Sequence, residues 1–236
     1  MKRRGASQIE FVLSFVLFLG ATLFIIFAFN PVKTSLDINP ILTQASNALF
    51  KDIFLDVEKY SVKVNPSFIT GSSVAIDLGD IQGGLSAEDY KGTYLGVRKG
   101  DDEVYLEVNK RKDDFVYILN SKDIIQSKGS LGDLNYKPMY NPKAYSLGAV
   151  QRLKTLSEKK LLELNKSYYS DYDALKEKFG VPLNSDFEAN FKFGDNEVKM
   201  EKSAPASVEI FSQQYRKEML KTDGEIVFAD IIVKIW

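Results

Sequence analysis

The sequence predicts an α+β chain, with a single N-terminal transmembrane helix followed by an extracytoplasmic domain of mixed antiparallel sheet and helix. Three observations carry this expectation. Phe11 to Phe29 is an apolar run with no charged residue; at about 1.5 Å per residue it makes a helix of about 28 Å, close to the roughly 30 Å of a bilayer's hydrocarbon core. Between Tyr60 and Leu119 apolar and polar residues alternate, which is the period of a half-buried strand. On either side of that region the apolar spacing returns to the three and four residues of an amphipathic helix. The chain accordingly divides into a basic leader (1–5), the transmembrane helix (6–29), a helix with a β-meander (30–126), a loop or linker (127–142), and a helical hairpin with a C-terminal β-hairpin (143–236).

Lys2, Arg3 and Arg4 precede the apolar run, and only Lys33 and Asp37 follow it closely. Cations collect on the cytoplasmic side, so the N-terminus is expected inside and the domain after Asn30 outside. A secretory signal has a shorter apolar core and small residues at its cleavage site, whereas this run ends in Phe27-Ala28-Phe29-Asn30-Pro31. Asn30-Pro31 is expected to break or kink the helix. Gly20-Ala21-Thr22 is a small patch that lets helices approach closely. Glu10 stands out, because a carboxylate in such a segment costs about 2.5–3.5 kcal/mol at the centre and less toward the interface unless something pairs with it.

Asn39 as cap, Pro40 at the first helical position, and Ile41, Ala45, Leu49, Ile53 and Val57 at four-residue steps predict a helix over 40–56. Five strands follow at 59–64, 73–78, 94–98, 103–108 and 114–118, with hairpins at 99–102 and 110–113 joining the last three. Ser127 to Pro142 is rich in Gly, Pro and Asn and has no period; its Asn135–Pro142 run presents tyrosines that either stack on a sugar or partner protein or pack down. Leu147, Val150, Leu153, Leu161 and Leu164 mark one face of a helical region beginning at Pro142. Ser170-Asp171-Tyr172-Asp173 caps a second short helix, ended by Gly180 and Pro182. Strands at 186–193, 207–220 and 225–236 close the chain, the last two joined by a two-residue Asp223-Gly224 turn. The final strand, apolar on both faces, is expected to lie centrally and buried.

The chain has no Cys and no His. That excludes disulfides, Cys-His and Ser-His-Asp catalysis, and zinc sites built on thiolate or imidazole. Carboxylate chemistry, Ser-Lys chemistry and calcium binding remain. Asp77-Leu78-Gly79-Asp80 and Gly100-Asp101-Asp102-Glu103 are the acidic clusters, yet neither has the ligand spacing of a calcium loop and both read as turns. Gly83-Gly84 lacks the continuation of a phosphate loop. No metal, no cofactor and no enzymatic activity are expected. The net charge is −1, and removal of the three leader cations leaves −4 before the new amine is counted; this predicts no nucleic-acid partner. Asn165-Lys166-Ser167 is a sequon expected between two helices on the external side, a weak glycosylation candidate at Asn165.

The basic residues, Gly5, Ala6-Ser7-Gln8-Ile9-Glu10 and the hydrophobic helix resemble the leader of type IV prepilins, in the short archaeal form called a class III signal peptide. The leader of bacterial tight-adherence pseudopilins is similar. The resemblance covers residues 2–29, about a tenth of the chain, and Ala6 departs from the Gln that many archaeal members carry. It implies cytoplasmic cleavage between Gly5 and Ala6 by a membrane prepilin peptidase, with Glu10, fifth in the mature chain, serving filament assembly. Its partners would then be the membrane, that peptidase and other pilin-like subunits. The chemistry of the spacing agrees: glycine leaves the scissile backbone uncovered, and the new amine of Ala6 sits one helical turn from Glu10, so the two charges satisfy each other in a dry bundle. The large head favours a minor pilin or pseudopilin acting in assembly or adhesion at the cell surface. Two alternatives stand beside it: an uncleaved, single-pass anchored extracytoplasmic binding module whose Glu10 snorkels to the headgroups, and an anchored carboxylate hydrolase, which needs paired acids in a cleft.

Overall fold

The computed structural model describes residues 12–22, 24, 38–69, 71–108, 115–129 and 138–236. They fall into two units, Met1–Ile41 and Leu42–Trp236. In the first, α1 is helical over 12–22, with the Thr22 hydroxyl donating to the Phe18 carbonyl at 2.7 Å in the manner of a helix-facing threonine. Its apolar side chains, Phe15, Leu17 and Phe18 among them, are exposed. Among the described residues no helix is long and apolar enough to cross a membrane, which corrects the expectation of a spanning helix.

The second helix, α2 (Ile38–Ile53), begins one residue before the expected Asn39 cap and ends three residues before the expected 56. It turns its Leu42, Ala45, Leu49, Phe50 and Ile53 inward. Phe54 enters β1 (Phe54–Val64) with no intervening loop. Val57 fits the four-residue spacing of the helix, but Phe54 to Val57 pair in register with Leu156 to Leu153 of β8 (Tyr145–Ser157), and that ladder overrides the helical period.

The remaining strands are β2 (Ser73–Ile76), β3 (Gly84–Asp89), β4 (Tyr94–Leu95), β5 (Val97–Lys99), β6 (Val104–Glu107), β7 (Phe115–Ser121), β9 (Phe187–Phe193), β10 (Asn196–Met200), β11 (Phe211–Leu220) and β12 (Ile226–Ile235). Helices α3 (Glu158–Ser170) and α4 (Tyr172–Phe179) lie between β8 and β9 in the chain. A nine-stranded sheet has the order β10-β9-β12-β11-β8-β1-β7-β3-β4, and a three-stranded sheet the order β2-β6-β5. Every neighbouring pair is antiparallel except β8 and β11, which run parallel and touch only at Met219↔Leu156 and Leu220↔Ser157.

The small sheet packs on β1, β7 and β3 and buries Tyr60, Val62, Leu85, Val116 and Ile118 against Val74, Ile76, Val104 and Leu106. A smaller cluster of Val57, Leu119, Ile124 and Leu220 fills the opposite face. Near α3 and α4, Phe187 is surrounded by Tyr168, Tyr172 and Phe179 at ring-centroid distances of 5.4, 5.5 and 5.6 Å. Ring pairs at these separations add to their area burial.

The architecture is therefore predominantly β rather than α+β. The largest single cause is β8, expected as helix from Pro142 onward and observed as a strand of thirteen residues. Its apolar residues do not share a buried face: Leu147 and Val150 are exposed, while Leu161 and Leu164 are buried on α3. Strands β3 and β10 fall where the sequence predicts no strand. The single strand expected at 94–98 divides at Gly96, where the chain leaves the large sheet for the small one. The expected hairpin at 110–113 lies outside the described residues, and the strands it was to join, β6 and β7, belong to different sheets. Strand β12 does lie centrally, between β9 and β11, but its burial alternates instead of covering both faces. Its turn has the expected residues in a different form: Gly224 donates to the Lys221 carbonyl, Lys221 donates to the Glu225 carbonyl, and Gly224 takes φ +85°. That is a three-residue loop closed by a left-handed glycine, not a two-residue turn.

Candidate functional site

Three of the sequence-predicted site residues, Gly5, Ala6 and Glu10, lie outside the described residues. The sequon asparagine, Asn165, sits within α3 and not between two helices, and its side-chain oxygen is buried without a hydrogen-bond partner. The expected cap of α4 is not made by a side chain, since Asp171 forms no such hydrogen bond, but Gly180 ends the helix in the left-handed conformation at φ +68°.

The two acidic clusters meet. Asp77 to Ile81 and Lys99 to Val104 line one cleft of about 400 Å³. Within it Asp77 accepts from the Gly79 N–H at 2.9 Å and Asp80 from the Gln82 amide at 3.4 Å, and the Lys99 ammonium crosses to the Ile81 carbonyl. The Asp77 carboxylate holds a turn, as its sequence context implies. Among the described residues no group of three acidic side chains is placed to hold a metal ion. Tyr140, from the tyrosine-bearing loop, packs edge-on against Tyr145 at 6.4 Å, and the Tyr145 hydroxyl receives the Asp77 N–H at 3.0 Å. Burial, and after it the hydrogen bond to Tyr140, pushes Tyr145 up to about 12.

The richest polar constellation in the head is one that sequence reading does not assemble. Glu58 on β1 stands directly across from Asn120 on β7 and from Arg152 on β8. Three adjacent strands thus place an acid, an amide and a guanidinium in one row, on the face that two residues later carries Tyr60 under the small sheet. Glu58 Oε2 accepts from the Tyr60 hydroxyl at 2.8 Å and from Asn120 Nδ2 at 3.4 Å, while Oε1 lies 3.7 Å from Arg152 Nε. Burial, with the Glu58 acceptor second, pushes Tyr60 up to about 12, so its proton stays available to that carboxylate.

Beside this row, the buried carboxylate of Asp123 accepts from Ser157 Oγ at 2.7 Å and lies 3.7 Å from Lys159. Ser157 also caps α3 by accepting the Lys160 N–H at 3.2 Å, and Lys160 Nζ reaches the Phe54 carbonyl at 2.6 Å. With its hydroxyl engaged as donor and acceptor, Ser157 acts as a cap and not as a nucleophile. Glu58, Asn120, Asp123, Arg152 and Lys160, together with Asp56, Asp80, Gln82 and Lys122, line a cleft of about 560 Å³, within the roughly 300–1,000 Å³ range of small-molecule sites. Its walls hold carboxylates and cations side by side, so the chemistry it offers is hydrogen bonding to a polar molecule. Arg152 is its most available donor, with a side chain 80% exposed. No local signal in the sequence marks this row: residues 58, 120 and 152 become neighbours only through strand register.

Compared with models of protein families, with curated proteins and with solved structures, the chain matches none.

Proposed function

We propose that this chain is a pilin-like surface protein, a minor pilin or pseudopilin that is not an enzyme, held at the membrane by its apolar N-terminal segment and presenting a β-rich head outside the cell. The observation that carries the reading is the leader itself: three cations, Gly5-Ala6, and Glu10 entering an uncharged run. A prepilin peptidase would cut after Gly5, and the Ala6 amine and Glu10 would then pair between neighbouring subunits. A head of this size, with a polar cleft on one face, suits a subunit that displays a binding surface better than one that forms the bulk of a filament.

The test is to express wild type and Glu10→Gln at equal levels in the native host. Protein begins at Ala6 in both, because the glycine and basic leader are unchanged. Wild type enters sheared surface filaments or crosslinked multimers, and Glu10→Gln does so much less, since the Ala6 cation has lost its partner. A first residue of Met1 or Lys2, or equal multimer yield from both proteins, overturns the reading and favours the uncleaved anchored binding module.

A further inference from the structure

Where β1 ends and β8 begins, Lys63, Asn65, Lys143, Tyr145 and Ser146 line a hollow of about 210 Å³. Register sets Lys63 across from Ser146 and Val64 across from Tyr145, and just beyond them the Asn65 N–H donates to the Ala144 carbonyl at 2.8 Å. The flanking loops are tied to each other as well. Asn141 Nδ2 donates to the Phe68 carbonyl at 3.3 Å, and Asn141 Oδ1 accepts the Lys143 N–H at 3.1 Å. Ladder and loop bonds together fix the backbones that carry the two lysines.

The polar groups of the hollow sort by type. Its acceptors are engaged: Asn65 Oδ1 receives the Ser67 N–H at 3.3 Å, the Asn65 carbonyl receives the Phe68 N–H at 3.2 Å, and the Tyr145 hydroxyl receives the Asp77 N–H at 3.0 Å. Because a backbone N–H holds Oδ1, the Asn65 amide turns its Nδ2 donors the other way. Among the described residues no hydrogen bond or ion pair occupies Asn65 Nδ2, the Ser146 hydroxyl, or the ammonium groups of Lys63 and Lys143. No carboxylate lines the hollow. The cross-strand neighbours of Lys63 are Phe115 and Ser146, neither of them acidic, and Asp77, joined to the site through Tyr145, turns its own carboxylate to the Gly79 N–H at 2.9 Å.

We infer that this hollow binds a phosphate group, either as the free ion or as the ester of a larger molecule. Two ammonium ions match the charge of about −1.5 to −2 that a phosphomonoester carries at pH 7, while the amide and the hydroxyl add neutral donors to its remaining oxygens. A cation finds no carboxylate there. The volume lies below the roughly 300–1,000 Å³ of sites that enclose a whole small molecule, so what enters is a charged group. The chain as a whole, at net charge −1, gives anions no general attraction, which leaves this local set of donors to hold one. The inference rests on the head alone and is independent of the leader and of filament assembly.

The experiment titrates the full chain, held in nonionic detergent at low ionic strength, with inorganic phosphate, glycerol phosphate and acetate. Binding is read by calorimetry, and amide hydrogen exchange is read with and without ligand. The expected result is saturable binding of a phosphate compound with protection at 63–65 and 143–146, and acetate weaker by about tenfold because it brings one charge and two oxygens. Tighter binding of glycerol phosphate identifies an ester-borne group, as in a lipid headgroup, and equal or tighter binding of inorganic phosphate identifies the free ion; either supports the inference. Lys63→Gln and Lys143→Gln, both at exposed positions, each weaken binding about five- to tenfold with melting unchanged. Lys166→Gln, on an α3 lysine that does not line the hollow, leaves binding as it was. The inference is overturned if neither phosphate compound binds saturably, if acetate binds as tightly, if protection misses both segments, or if the Lys63→Gln/Lys143→Gln double variant binds like wild type.

Discussion

Replacing Asp186 by Asn tests how the α4 end of the head is held. Lys176 on α4 is buried, its side chain only 5% exposed, and its ammonium donates to the Leu183 carbonyl at 2.9 Å while facing Asp186 Oδ1 at 3.4 Å. The same oxygen receives Lys202 Nζ at 2.9 Å and the Tyr172 hydroxyl at 3.1 Å. Asp186→Asn keeps the shape and an acceptor but removes the charge that, among the described residues, is paired with Lys176. Breaking a fully buried pair costs about 3–5 kcal/mol. Here Asp186 is 29% exposed and the Leu183 carbonyl remains, so roughly half of that applies, while the exposed Lys202 pair adds only about 0.2–1 kcal/mol. The expected loss is about 2–3 kcal/mol. Trp236, the only tryptophan, reports it directly, since its backbone exchanges hydrogen bonds with Asp186 at 2.8 and 3.0 Å; urea unfolding of the full chain followed by its fluorescence gives the difference. The pH dependence has a definite sign. Burial pushes the Asp186 carboxyl upward, but hydrogen bonds from Lys202 and Tyr172 and the charges of Lys202 and Lys176 outweigh it and hold the group below its ordinary 3.8. A carboxyl depressed in the folded state stabilises above its unfolded value and loses that contribution as pH falls through the folded one. The gap between wild type and Asp186→Asn should therefore be full at neutral pH and close in acid. Lys176→Met in the Asp186→Asn background should recover part of the loss by removing the orphaned cation. A neutral-pH difference below about 0.5 kcal/mol, or one that persists unchanged in strong acid, refutes the reasoning.

Three further outcomes follow from other sites. Ser157→Ala removes both the α3 cap and the donor to buried Asp123 and should cost about 2–4 kcal/mol, with Ser157→Thr retaining most of the stability in thermal melts. Gly224→Ala should cost about 2–4 kcal/mol, because φ +85° disfavours a side chain and the new Cβ would stand 2.3 Å from Ser86 Cβ; the free energy from urea unfolding decides it. Burial, aided by Glu58 for Tyr60 and by Glu225 for Tyr94, pushes both phenols up to about 12. Groups raised in this way stabilise fully below their unfolded value near 10 and less as pH rises through 12, so alkaline denaturation should begin in that window and Tyr60→Phe should blunt it, as measured by tyrosinate absorbance together with unfolding midpoints.

The parts of the fold that the sequence made legible are those where local chemistry and long-range pairing agree. Gly180 ends α4 and Phe187–Phe193 alternates as a strand because turn residues and periods point the same way there. The strand β8 escaped because most of it is exposed: with no buried face its leucines and valine leave no alternation to read, and their spacing matches a helix by coincidence. Strand β3 escaped for a different reason. Gly84, Ser86 and Ala87 are poor strand formers; at Gly84 a Cβ would run into the Ile124 carbonyl, and Ser86 lies against Gly224. The candidate site divides in the same way. Gly5, Ala6 and Glu10 form a local motif readable at a glance, whereas Glu58, Asn120 and Arg152 are joined by register alone, and register is set by the whole sheet.

Strand β1 emerges early during synthesis and then waits. Its partners on either side, β7 and β8, begin about fifty and about eighty residues after Val64, so at roughly 5–20 residues per second the nascent strand stays without one neighbour for about 3–10 s and without the other for about 4–16 s. Two open edges held that long invite pairing between neighbouring ribosomes' products. The strand carries its own protection, for Asp56, Glu58, Lys59 and Lys63 break its apolar stretch into pieces too short to stack. In the finished sheet Glu58 faces Arg152 of β8 and Lys59 faces Glu88 of β3, so one of the charges that keep β1 solitary during translation, Glu58, also meets a strand it was waiting for.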